Sequence, residues 1–180
     1  MNFESQIWHK VTCHHVYHAF LKSEVLHFPP DRIKPYREII KNPDFDDGCQ
    51  NTQRIHLLES RRRPLLEKIP NSTDWYLVKF LNEENVDKLH VIAHCGWDSI
   101  CGSDKNELEK VAQREKPMLK VDPNDWDPPI LWGHSISGPF TILEGNHRLV
   151  AWVAETPRRE LKIPVFVGIS PEKCFLHIFD

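Results

Sequence analysis

Fourteen prolines divide the 180-residue chain into short pieces. Proline has no backbone N–H and a fixed φ, so it sits at the edges of helices and strands and seldom inside them. The pattern predicts short elements joined by punctuated connections. Pro129, Pro139, Pro157 and Pro164 mark the edges of the C-terminal strands and of one helix between them.

Composition narrows the class. Hydrophobic residues make up 40% and charged residues 27%, a globular balance, and the length suits one domain or one domain with an extension. The formal net charge of −3 excludes a protein that is basic all over and leaves room for a local basic groove. No apolar run approaches the roughly 20 residues of a membrane span. The opening MNFESQIWHK lacks the basic-then-apolar order of a signal peptide. The five cysteines include no C-x-x-C pair. Free thiols in a cytoplasmic protein with no membrane partner are therefore expected.

Residues 1–70 read as a helical N-terminal extension. Val16, Ala19 and Phe20 recur at helical spacing within a helix expected over Ile7–Leu26, which Pro29-Pro30 ends. A short helix over Ile33–Ile40, a turn at Asp44–Gly48 and a longer helix over Gln50–Leu66 follow, with Pro64 near the end of the last. Residues 71–180 read as the core. Asp74–Leu81 reads as a strand, Asn82–His94 and Asp104–Arg114 as helices, and Lys116–Pro129 as an irregular connection. Ile130–His134 and Phe140–Leu143 read as strands around a turn in which Gly138 supplies backbone freedom. Asn146–Glu155 reads as a helix, Ile163–Ile169 as a strand and Cys174–Phe179 as another.

The segment that carries chemistry is the strand-to-helix turn Leu143-Glu144-Gly145-Asn146-His147-Arg148. Gly145 permits an unusual dihedral and close approach of a ligand. Asn146 is placed to cap the helix. A helix N-terminus offers unpaired N–H groups and the positive end of the macrodipole, which together favour an anion. Arg148 adds a fork of donors suited to phosphate oxygens, and His147 a donor or proton carrier. Glu144 is placed to act as acid/base group or to orient Mg²⁺. The plainer alternative is an ordinary capped helix with Arg148 in a surface ion pair.

The run from Pro129 to Arg148, two strands leading into Gly145-Asn146-His147-Arg148, followed by Lys162-Ile163-Pro164-Val165-Phe166-Val167, resembles the core of the ParB/sulfiredoxin superfamily. The likeness spans residues 71–180 and is strongest over 129–168. It implies an α/β (α+β) fold, a small mixed sheet with helices, and a Gly-x-x-Arg box that binds the phosphates of ATP or CTP, with Mg²⁺ as a companion ion. Sulfiredoxins carry a catalytic Cys where this chain has Asn146, so their chemistry is not expected. Centromere-binding ParB proteins continue into a DNA-reading domain beyond the core, and with Asp180 as the last residue a centromere clamp is not expected. The small stand-alone members remain: ParB-like nucleases, free-serine kinases and plasmid inhibitors of DNA transfer of the Osa type. The resemblance thus implies a nucleotide phosphohydrolase or DNA nuclease. The alternatives are a non-catalytic, nucleotide-gated regulator or nucleic-acid-binding inhibitor, and a small-molecule kinase.

Three other features carry weaker signals. His14/His18 and His90/His94 have the i,i+4 spacing of metal ligands on a helix, but eleven histidines produce such pairs by chance and no H-E-x-x-H is present. No metal ligand is assigned. Arg61-Arg62-Arg63 and Arg158-Arg159 read as solvated faces or as contacts to a nucleic-acid backbone, Arg158 and Arg159 lying just beyond the box helix. Trp75, Trp97, Trp126, Trp132 and Trp152 read as core residues or as platforms for bases.

Overall fold

Strand pairing organises the chain. In the computed structural model, which describes residues 8–79, 88–91, 127–155 and 164–172, six strands form one mixed sheet. They are β1 (Trp8–Val11), β2 (Asp74–Val78), β3 (Leu89–Val91), β4 (Ile130–Gly133), β5 (Phe140–Glu144) and β6 (Val165–Ile169). Their spatial order is β1-β2-β6-β4-β5-β3. β4 and β6 run parallel at the centre, with Leu131 opposite Val167, and β3 runs parallel to β5. The β1–β2, β2–β6 and β4–β5 pairs are antiparallel. All of β4, Phe140–Leu143 of β5 and Val165–Gly168 of β6 are buried. That explains their unbroken apolar runs, since strands covered on both faces lose the alternation of half-exposed ones.

The helices are α1 (Cys13–Glu24), α2 (Pro30–Ile33), α3 (Arg37–Lys41), α4 (Gly48–Leu66) and α5 (Asn146–Glu155), with 3₁₀ turns at Val25–His27 and Lys34–Tyr36. Asp47 caps α4 by accepting from the N–H groups of Cys49 (2.8 Å) and Gln50 (3.1 Å), which stabilises a helix end by about 1 kcal/mol. Pro64 lies in the last turn of α4, where its missing N–H removes one ladder bond without ending the helix. Val16, Phe20 and Leu21 of α1 and Leu57 and Leu58 of α4 pack into one core cluster with Trp75, Ile130, Trp132 and Phe166 of the sheet. Each fully buried aliphatic or aromatic side chain of this kind stabilises the fold by roughly 1.5–3 kcal/mol. The N-terminal helices therefore share the hydrophobic core of the sheet.

Arg54 is a buried polar clip between α4 and the chain before it. It is 2% exposed and donates to the carbonyl oxygens of Ile39 (3.1 Å) and Asp44 (2.9 Å) and to the side chains of Gln50 and Asn51. Its guanidinium also lies 5.2 Å from the centre of the Phe45 ring. Five donors in a fixed fork suit a site that must satisfy several oxygens at once.

Two sequence expectations need correction. The helix expected over Ile7–Leu26 begins only at Cys13, because Trp8–Val11 is a strand. β1 owes its conformation to a neighbour: Trp8 meets Tyr76 edge-on at 5.5 Å and Lys10 pairs with Asp74 at 2.7 Å. The helix expected to run to His94 is replaced at Leu89–Val91 by β3, whose residues pair with Phe140–Ile142. Tertiary pairing outweighs local propensity in both places. The strand at Asp74, the Ile130/Phe140 hairpin, the helix at Asn146 and the last apolar strand are as read, with Gly138 at φ +70° in the hairpin turn. The helix expected over 104–114, the strand over 174–179, and Cys95, Cys101, Cys174, Trp97 and Trp126 lie outside the described residues. Cys13 and Cys49 are free thiols. No described helix is long and apolar enough to cross a membrane.

Replacing Arg54 with Leu removes the donors to two partly buried carbonyl oxygens, those of Ile39 and Asp44. Each unsatisfied group costs about 1–3 kcal/mol. Urea titration should show Arg54→Leu unfolding at a clearly lower midpoint with an unchanged slope.

Candidate functional site

β5 delivers the box. Phe140–Leu143 are buried, Glu144 is half-buried, and the chain then turns at Gly145 with φ +91°. This is a left-handed conformation that side chains disfavour. A Cβ on Gly145 would also stand 3.1 Å from the Cβ of Pro129 and 3.4 Å from Nη2 of Arg148. The first α-helical bond runs from the Leu149 N–H to the Gly145 carbonyl at 2.9 Å. Gly145 therefore occupies the cap position, and Asn146, expected to cap, is the first residue of α5. Its Oδ1 is buried and has no hydrogen-bond partner. The N–H groups of Asn146, His147 and Arg148 precede the helical ladder.

Glu144, Gly145, Asn146, His147 and Arg148 all line one cleft of about 550 Å³. The opposite wall comes from the N-terminal helices: Lys22 and Glu24 of α1, His27, and Arg62 of α4, with Asp127 at one side. Glu24 is 2% exposed and clamped by two arginines, Arg61 Nε at 2.8 Å and Arg62 Nε at 2.6 Å. Lys22 pairs with Asp127. Arg148 donates through Nη1 to the Asp127 carbonyl at 2.7 Å, and its Nη2 lies 3.8 Å from Glu144 Oε1. Lys22, Arg62 and Arg148 thus each meet a carboxylate, so the wall is polar and charge-balanced. His147 stands exposed at the lip.

Two carboxyls in this cleft are driven apart. Burial pushes Glu144 above its ordinary range, and the nearby Glu24 charge adds to this, against the opposing pull of Arg148 and Arg62. For Glu24 burial acts in the same upward sense, but the hydrogen bonds and charges of Arg61 and Arg62 outweigh it and hold the carboxyl below its ordinary range. Separated acidities of this kind suit one group to proton transfer and the other to a fixed charge.

The five box residues lie together in the cleft as the sequence places them, whereas the facing wall has almost no sequence signature. Its one trace was Arg61-Arg62-Arg63, read as a solvated or nucleic-acid-facing run. Arg61 and Arg62 hold Glu24, and Arg63 pairs with Glu67 at 2.6 Å. Arg158 and Arg159 lie outside the described residues, as does His94, the partner of His90. His90 is on β3, so helical ligand spacing does not apply to it. His14 and His18 share α1, and no group of three or more His, Cys, Asp or Glu side chains able to hold a metal occurs among the described residues. Trp75 and Trp132 are core residues, 3% and 0% exposed, the latter donating to Thr73 Oγ1 at 3.2 Å.

Comparison with protein-family models, curated proteins and solved structures finds no match.

Two outcomes follow. Gly145→Ala combines a strained φ with a contact at Pro129, and backbone strain of this kind costs of order 1–3 kcal/mol. The loss should appear as a lower urea midpoint. Glu144 has a folded-state acidity weaker than its unfolded one. Its contribution to stability is complete below the unfolded value and is lost as pH rises through the folded one. Stability of Glu144→Gln relative to the parent should therefore rise across that window, measured by denaturation at a series of pH values.

Proposed function

We propose that the cleft at the start of α5 binds the phosphates of a nucleotide, ATP or CTP, and that the protein is a nucleotide phosphohydrolase or DNA nuclease of ParB/sulfiredoxin type. The observation that carries this reading is the left-handed Gly145 at a helix N-terminus, in a cleft that Arg148, Lys22 and Arg62 also line. A glycine turn that lets a ligand approach backbone N–H groups, with the helix dipole behind them, favours an anion. The mixed six-stranded sheet, with a hairpin leading into the box and a parallel strand beside it, is compatible with that family.

In this reading the N–H groups at the start of α5 and the Nδ2 amide of Asn146 donate to phosphate oxygens. Arg148, already fixed by the Asp127 carbonyl, adds its remaining donors without reordering. Preorganised donors of this kind favour charge that develops during phosphoryl transfer. Glu144, held toward its protonated form, supplies a proton to a leaving oxygen, with His147 at the lip as a second proton carrier. Mg²⁺ that arrives with a nucleotide keeps most of its ligands as water and phosphate and asks the protein for only one or two carboxylates. Glu144 is the box residue that could serve in this way, in its ionised form and as the alternative to the proton-donor role, and the ion would neutralise phosphate charge.

A second reading is a nucleotide-gated regulator without turnover. It is favoured by the 3.8 Å approach of Arg148 to Glu144, which restrains the one box carboxylate available as a base.

Calorimetry with ATP and CTP, phosphate release and plasmid nicking should be measured for the parent, Arg148→Ala and Glu144→Gln. The enzyme reading expects nucleotide binding that falls at least about tenfold in Arg148→Ala, the scale of one lost charge-assisted bond, and turnover lost in Glu144→Gln. Binding without turnover in the parent selects the regulator. Absence of nucleotide binding by the folded parent overturns both.

A further inference from the structure

Beside the cleft lies a larger cavity of about 710 Å³, formed by α1, α2, α3 and the 3₁₀ turn after α1. Its walls include Val25, Phe28, Ile33 and Ile40, and its charged rim is Lys22, Arg37 and Lys41. No carboxylate is among its described lining residues, in contrast to the balanced cleft next to it. Its volume falls within the range of small-molecule sites, which pair apolar walls with a few polar groups.

Lys22 and Leu26 line both cavities. Leu26 is 92% exposed, the most exposed large apolar side chain among the described residues. It stands where the polar cleft meets the apolar cavity, and nothing in the core requires it there.

We propose that the two cavities form one bipartite ligand site: the N-terminal helices hold the base of a nucleoside phosphate whose phosphates occupy the start of α5. This rests on the phosphate reading above and adds the ligand class and a role for the N-terminal helices. Apolar walls cover the faces of a flat heterocycle. Arg37 and Lys41, whose side chains make no hydrogen bond or ion pair with other described residues, offer donors to its ring nitrogens and carbonyl oxygens. A hydrocarbon chain would use the walls and leave those donors idle. His18 is also on the wall, buried to 9% exposure, with an Nδ1 that has no partner. Its ring is neutral at ordinary pH, because burial, with the charges of Arg54 and Lys22, brings it down to about 4, so it can hydrogen-bond a neutral base.

The probes are ATP, CTP, inorganic triphosphate and decyl phosphate, titrated into the parent and into Leu26→Ser and Arg37→Ala. Both substituted side chains are exposed, so the fold should survive, and circular dichroism checks it. The expected result is that at least one nucleotide binds about tenfold or more tightly than triphosphate, the scale of burying one apolar group. Leu26→Ser and Arg37→Ala should erase most of that advantage while triphosphate binds as before. Equal binding of nucleotides and triphosphate, or a nucleotide advantage unchanged in both variants, overturns the bipartite site and leaves the phosphate reading standing. Decyl phosphate binding more tightly than either nucleotide overturns the heterocycle assignment. No binding of triphosphate or nucleotide overturns the phosphate reading itself and this inference with it.

Discussion

The clamp of Arg61 and Arg62 on Glu24 is the interaction on which the geometry of the cleft depends. Glu24 ends α1, the two arginines sit near the end of α4, and the three side chains join the helices at the point where they face the box. A carboxylate buried to 2% exposure would be costly alone, and its cost is offset only because two guanidinium groups reach it. Removing both arginines would leave an uncompensated buried charge, so the clamp serves more to fix a geometry than to add stability. It also places a permanent negative charge across from Glu144, one of the reasons why that group resists ionisation.

The cleft joins two regions of different character. On one side is a strand–glycine–helix turn built for close backbone approach. On the other are side chains from α1 and α4, which lie far earlier in the chain. Lys22 and Asp127 bridge the two sides, and the Asp127 carbonyl orients Arg148. The box is thus a local motif whose electrostatic setting is long-range. The plainer reading of Arg148, an ion pair at an ordinary helix start, describes part of what it does, since its guanidinium is engaged by a carbonyl and approached by a carboxylate.

Legibility in the sequence follows the range of the forces involved. β4, β5 and β6 were readable because fully buried strands write themselves as apolar runs bounded by proline and glycine. α5 was readable from Leu149, Trp152 and Val153 and from the glycine before it. β1 was not, because Trp-His-Lys-Val carries no alternation and is a strand only through pairing with β2. β3 was hidden for the same reason, three residues long and defined by β5. Residue preference points to Asn146 as the cap, yet the backbone at Gly145 moves that role one position back. The facing wall was invisible, because no spacing rule links Lys22 or Glu24 to a turn at residue 145.

The position of β6 has a consequence for how the chain acquires its structure. Among the described strands it is the last in sequence, yet it lies inside the sheet, between β2 and β4. Until residues 165–169 are available, β1–β2 and β4–β5–β3 are two separate ribbons with unsatisfied edges facing each other across a missing strand. Such edges are sticky, and pairings over this sequence distance form slowly. The chain emerging from a ribosome must therefore hold both ribbons open until its final described strand closes the gap. Closure of the sheet depends on pairings that span nearly the whole described sequence.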